Sequence, residues 1–584
     1  MRRIFPFLAA LLLAAPALGT PANDDAAFGG AVAVSGETVF IGEPRSFSQP
    51  GRVHVFEQTA DGTWETVAVL AADDGAIGDG FGDALAAAAG AVLVGAPQAN
   101  DDRGAAYLFV RRADGAWVQA ARLAAPDAAE GDAFGATVAF DGTHAYVGTP
   151  GANDRAGAVH VFAPAGDGWA HHTTLTASDA AEGQRFGSAM AVEGPRLAVG
   201  APFHTQATGA VYLFEAAGDG WAERLQLAGA EANHRFGMAV ALNGSEVAVA
   251  APFANELAGL VQIFDVDGEG AWSEIARFEP IGEEPARSFF GQALHFEGDN
   301  GWIGAPGAGG FAGTLHHYHR IDGSWMHADE VAGDGVEPGD SFAGSFAIDG
   351  DLAVAGASRA DYGEGMATIL EREGNQWSAQ TLVFAEAEPL PPIVGGEVNC
   401  TEGEAAAFGC GRVDLVAFVP NDVMEMNRGV RLNDVWGWTD AETGTEYALI
   451  GHMEGTAFLD LSDPTHPAYL GTLPRTEGSP GSTWRDMKVY ADHVFIVADG
   501  AGEHGMQIFD LTRLRDVEDG PVTFEADAHY DQIASAHNIV INEETATAYI
   551  VGSGGGGETC GGGLHMVDVS TPQSPTFAGC FGHE

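Results

Sequence analysis

The sequence predicts an all-β protein, a seven-bladed β-propeller followed by a second, incomplete propeller-like domain. Three observations carry this expectation. A Phe-Gly pair recurs at Phe28, Phe81, Phe134, Phe186, Phe236 and Phe290, and the variant Phe342-Ala343 completes seven copies. A tryptophan marks the far end of each unit, at Trp64, Trp117, Trp169, Trp221, Trp272, Trp325 and Trp377. Tight-turn pairs divide each unit into short alternating runs, and a period of about 50 residues suits one four-stranded blade.

The third unit illustrates the reading. Residues 136–140 alternate, Asp141-Gly142 turns, and residues 144–149 return; residues 157–162 alternate again before Asp167-Gly168 turns into 169–176. Similar turns stand at Asp61-Gly62, Asp114-Gly115, Asp219-Gly220 and Asp322-Gly323. Asp-Gly between alternating runs is a strong hairpin signal because both turn positions take positive φ. Radial repetition of such units leaves only short strand edges, whereas an open β-solenoid would use much shorter coils.

Ahead of the repeats, residues 1–19 read as a secretory signal peptide. Arg2 and Arg3 precede an apolar run that closes on Ala17-Leu18-Gly19. Pro6 and Pro16 interrupt the run, which is shorter than the ~20 residues of a spanning helix. No cysteine follows it for lipid attachment, and no later segment is apolar enough to cross a bilayer. The expected location is therefore secreted or cell surface.

Charge narrows the partners. The 584 residues hold 82 acidic against 26 basic side chains, a net charge of −56, and Lys488 is the only lysine. Phosphate backbones need a cationic surface, so nucleic acid is excluded as a partner. With 46% hydrophobic residues and acid spread along the chain, this is a folded protein with an acidic solvation layer, as suits a saline exterior.

The Phe-Gly pairs, followed by Gly95-Ala96-Pro97, Gly200-Ala201-Pro202 and Gly304-Ala305-Pro306, resemble the FG-GAP repeat of integrin α-subunit propellers over residues 24–385. Looser copies stand at Gly42-Glu43-Pro44, Gly148-Thr149-Pro150, Ala250-Ala251-Pro252 and Gly356-Ala357-Ser358. The family's usual calcium loops do not carry over. Tight turns such as Ser35-Gly36, Asp141-Gly142, Glu193-Gly194, Asn243-Gly244 and Asp349-Gly350 occupy their places, and one or two carboxylates cannot surround calcium. The acidic run Asp265–Glu269 lies in a different hairpin and reads as an acidic turn. Asp79, Asp132 and Asp340 read as loop hydrogen-bonders rather than catalysts.

Residues 386–397 form the expected linker, rich in acid, proline and glycine. Beyond it, over 398–584, alternating strands end in Asp460, Asp510 and Asp568 and resemble LVIVD repeats. Together with Val435-Trp436-Gly437-Trp438, Ser482–Asp486, Ala536–Ile539 and Gly562–Asp568, they look like the choice-of-anchor B family of bacterial surface proteins. That resemblance implies a second propeller and a surface-associated protein, and no established reaction. About three blades fit in this span, so the expectation is a C-terminally truncated propeller with further blades and an anchor beyond it. A three-bladed domain completed by dimerisation is the alternative.

Aligning the blade starts of this second region brings Asn433-Asp434, Arg485-Asp486 and His537-Asn538 into register. On innermost strands these pairs would converge on the central channel as a ligand site, or hydrogen-bond neighbouring blades and close the ring. Asp486, His504, His529, His537 and His565 combine imidazole and carboxylate, a donor set suited to a divalent metal. In an exported protein the simplest of three pairings of the cysteines is Cys400–Cys410 with Cys560–Cys580; a Cys/His metal site lacks a close Cys-x-x-Cys spacing.

No nucleophile elbow, His-Glu-x-x-His helix or phosphate-binding Gly-Lys loop is present, so no catalytic residue is assigned. The glycines Gly554–Gly557 read as a flexible loop, and the periodic tryptophans as blade packing rather than a carbohydrate platform. Two function classes follow. One is an exported or cell-surface binding and adhesion module that meets an extracellular protein or glycan through its propeller faces. The other is an exported metal-dependent hydrolase or oxidoreductase with its site in the second funnel.

Overall fold

Short alternating runs joined by glycine turns pair in chain order, giving seven successive four-stranded antiparallel sheets between Val32 and Val383. In the computed structural model the chain is described from residue 26 to residue 581, except residues 47–48, 167, 219, 267–270, 282–285, 374–375, 386–389, 519, 555–559 and 561–562. The signal-peptide segment lies outside the described residues, as do most of Asp265–Glu269, residues 555–557 of the glycine run and part of the linker. The chain divides into two compact units, Met1–Glu386 and Ala387–Glu584. Among the described residues no helix is long and apolar enough to cross a membrane.

The first unit is a seven-bladed β-propeller. Its first blade comprises Val32–Ser35, Thr38–Glu43, Arg52–Gln58 and Trp64–Leu70, and the first strands of neighbouring blades pack side by side. The repeated phenylalanines are almost fully buried, from Phe28 at 0% to Phe236 at 4% exposure, each contributing about 2 kcal/mol of apolar burial. Several tryptophans pack at blade boundaries: Trp117 meets Phe40 of the preceding blade edge-on at 5.3 Å, and Trp221 meets Tyr146 at 5.7 Å, whereas Trp272, 41% exposed, meets Phe264 of its own blade.

Three devices join one blade to the next. Short turns with left-handed backbone, such as Asn153, Asp154 and Arg155, bring carbonyls toward the following blade. There the Ala156 carbonyl accepts from the Phe186 amide at 2.9 Å. In six blades the glycine before the third strand then bridges the next phenylalanine, as Gly157 does Phe186, and Gly365 bridges Phe28 to close the ring. Finally, the turns that replace calcium loops are tied together: Asp349 accepts from the Gly36 amide, Glu193 from Gly244, and Asn243 from Gly298. Asp79, Asp132 and Asp340 each accept from the amide three residues earlier and so brace loops.

Between the third and fourth strands, every one of the seven blades carries one register shift, from Val55/Phe56 to Ile369/Leu370. A bulge inserts one residue and reverses which face the following side chains take.

The second unit holds three blade-like sheets. They begin with Leu432–Thr439, Arg485–Tyr490 and Asn538–Asn542; the first gains Val522–Thr523 as a parallel fifth strand. The periodic aspartates terminate strands: Asp460, Asp510 and Asp568 accept from the amides of Ser462, Thr512 and Ser570, which turns the chain out of each sheet. Disulfides join Cys400 to Cys410 and Cys560 to Cys580. The expected linker differs from its reading at its C-terminal end. Ile393 bridges Phe418, so this stretch is already paired within the second unit.

Candidate functional site

The innermost strands of the second unit's three sheets pack against one another, the second touching both the first and the third. Their common phase brings the starts of these strands around one pocket of about 290 Å³, lined by Asn433, Asp434, Trp484, Arg485, Asp486, His537 and Asn538.

Some of these groups tie blades together. Asn433 Oδ1 accepts from the Arg485 amide at 3.2 Å, and Asp486 Oδ2 accepts from the Ile539 amide at 2.7 Å and from Asn538 Nδ2 at 3.2 Å. Asp486 Oδ1 accepts from Lys488 Nζ at 2.6 Å. The ammonium of Lys488, the chain's one lysine, also lies 4.2 Å from the Trp436 ring centroid. Others remain open to a ligand. Trp484 is 59% exposed at the pocket, and His537 is held by Asp499 through Nδ1 at 2.8 Å.

The two aspartates differ electrostatically. Asp434 is raised, by burial and then by its hydrogen bond with Asp486. Asp486 is lowered although burial opposes this, because Lys488 and the Ile539 amide stabilise its charged form. Of the adjacent pair, Asp486 is therefore the easier to ionise.

The histidines expected as metal ligands are spread among separate partners. Buried His504 accepts at Nε2 from Arg485 at 2.8 Å and donates from Nδ1 to the Gly505 carbonyl at 3.1 Å. His529 Nε2 bonds the His504 carbonyl, and His565 Nε2 pairs with the Tyr530 hydroxyl at 2.8 Å. Among the described residues, Asp486, His504, His529, His537 and His565 do not supply any three ligand atoms close enough to share one ion. For His504 in particular, a guanidinium already occupies the accepting nitrogen. Sequence reasoning missed Trp484, Trp436 and Lys488. The signal available was that both tryptophans fall outside the seven-fold period and that Lys488 is unique.

Three stretches, 64–109, 117–162 and 169–214, match the FG-GAP repeat family model. Each match starts at or beside a blade's last strand and ends in the third strand of the next blade. No protein of curated function matches the chain. Among solved structures, a protein from Lactobacillus plantarum is 16% identical, with a TM-score of 0.41, over 59% of this chain and 95% of its own. A periplasmic gluconolactonase from Pseudomonas aeruginosa is 15% identical, also with a TM-score of 0.41, over 58% of this chain and 93% of its own.

Proposed function

We propose that the protein is an exported or cell-surface binding module, with a second unit of the LVIVD and choice-of-anchor B type that takes a polyhydroxylated ligand of the glycan class at its axial pocket. The observation that carries this reading is the exposed Trp484 indole beside Asp434, His537 and Asn538. A flat apolar ring next to convergent carboxylate, imidazole and amide groups suits a sugar, which has one apolar face and an equatorial rim of hydroxyls. The FG-GAP repeats of the first unit support a binding rather than a reactive role. The test is a screen of soluble oligosaccharides against the full chain. Binding that weakens at least about tenfold in both Trp484→Ala and Asp434→Asn is the expected result. A screen without hits, or affinity unchanged in both variants, would sink the reading.

The adjacent carboxyls of Asp434 and Asp486 at the pocket beside His537 favour a second reading, a hydrolase in which Asp434 acts as general acid. Turnover of aryl glycosides or aryl esters that disappears in Asp434→Asn supports it; inert wild-type protein removes it.

A further inference from the structure

The sixth blade of the first unit is rich in histidine. Five of the chain's 20 histidines, His295, His316, His317, His319 and His327, fall in its sequence. His317 and His319 both bond Asn300 Oδ1, at 3.1 and 3.0 Å, and His317 stacks on Trp302. His316 and His327 belong to the other face of the sheet. His316 pairs across the strands with Glu330, and Tyr318 pairs with His327.

Simple alternation would put His327 and Glu330, three residues apart, on opposite faces. The bulge at His317/Tyr318 removes that separation. It brings His316 Nδ1, His327 Nε2 and a Glu330 carboxylate oxygen within 4.8 Å of one another. The imidazole of His316 is only 4% exposed, and its Nδ1 lies 3.5 Å from Glu330 Oε1 without making a hydrogen bond. His327 Nε2 stands 3.7 Å from the same oxygen. Two ligand atoms on a tetrahedral zinc ion, each about 2.1 Å from the metal, are themselves about 3.4 Å apart.

The third blade provides an internal comparison. Its bulge at Val161/Phe162 places His160, His171 and Thr174 at the same three positions. Thr174 stands where Glu330 does, and the group closes on itself: His171 Nε2 bonds Thr174 Oγ1 at 3.0 Å and His160 Nδ1 at 3.3 Å. With glutamate in place of threonine, the sixth blade keeps a buried imidazole nitrogen unpartnered and adds a carboxylate charge.

We propose that His316, His327 and Glu330 form a site for a first-row divalent metal ion of the zinc type. Two imidazoles and a carboxylate are a borderline donor set that favours zinc over calcium. Three protein ligands leave one tetrahedral position for water or an external ligand, and the exposed His327 and Glu330 open that position to solvent.

The test is calorimetric titration of the full chain, stripped with chelator, with Zn²⁺, alongside Co²⁺ followed by its visible absorption. One tightly bound equivalent is expected, with the cobalt bands of a tetrahedral site. His327→Ala and Glu330→Gln sit on the surface, so the fold is retained. Each should weaken binding at least about tenfold, the scale on which losses around metal sites act. Absence of stoichiometric binding would overturn the proposal. So would an equivalent that survives both variants and is lost in His537→Ala, which would assign the ion to the second unit.

Discussion

Arg485 and His504 meet inside the second unit, guanidinium to imidazole at 2.8 Å, with residue exposures of 1% and 0%. Arg485 Nε also donates to the His452 carbonyl at 3.0 Å, while one terminal nitrogen has no partner. A buried cation that depends on so few acceptors is sensitive to losing one. His504→Phe is expected to cost about 3 kcal/mol, because it strands the charge. Arg485→Met should cost less, and the double variant should recover part of the loss. Urea unfolding of the four proteins as a double-mutant cycle measures this; strict additivity would contradict it.

The same neighbourhood sets an acid limit on stability. Burial and then the Arg485 charge pull His452 down to about 4 and His504 down to about 3, from an ordinary 6.5. The unfolded chain therefore takes up protons first as pH falls. The contribution is fully present above about pH 6.5 and is lost as pH drops toward the folded values, by up to about 1.4 kcal/mol per pH unit for each histidine. The urea midpoint of the second unit's transition should fall between about pH 7 and 5. A flat midpoint across that window would contradict the assignment.

Ring closure in the first unit depends on Gly365. Its φ is +80°, and a Cβ there would lie 2.1 Å from the Phe28 carbonyl oxygen. Gly365→Ala is expected to destabilise the propeller by about 4 kcal/mol, since backbone at both ends of the ring must shift. Gly62, at φ +90° with open space around it, is the control. Gly62→Ala should cost only the left-handed penalty of about 1 kcal/mol. Thermal unfolding of the two variants separates close contact from conformation alone.

The two disulfides close loops of 10 and 20 residues. Non-reducing peptide maps should contain Cys400 linked to Cys410 and Cys560 linked to Cys580. Chain-entropy arguments assign each bridge about 3 kcal/mol, slightly more for the longer loop. Reduction should therefore lower the unfolding midpoint of the second unit and leave that of the first unit unchanged.

Much of this molecule was legible because side chains repeat. The Phe-Gly pairs and tryptophans gave the seven blades, since each burial position recurs once per sheet. Blade phase alone placed Asn433, Arg485 and His537 at equivalent points, and these positions do share a pocket. Backbone events were not legible. Nothing in the letters of residues 316–330 marks the bulge, so alternation assigns His327 and Glu330 to opposite faces. Likewise, the histidines of the second unit had the right chemistry for a metal, but Arg485, Tyr530 and Asp499 engage three of them separately. Trp484 stands in the Ser482–Asp486 segment that carries the resemblance of the second region, but nothing in its letters shows that its indole lies open at the pocket.

The bulge shared by all seven blades fixes which side chains each sheet can bring together. It belongs to the backbone register, so each sheet offers the same triplet of side-chain positions whatever residues fill them. Tyr212, Glu223 and Gln226 occupy the triplet in the fourth blade, and Thr368, Ala379 and Leu382 in the seventh. The third-strand member packs against its own blade's phenylalanine, as His54 does Phe28, Tyr107 Phe81, Tyr212 Phe186 and His316 Phe290, so change confined to the two fourth-strand members leaves those rings in place. The propeller thus carries seven such triplets, one to a blade, on one repeated frame.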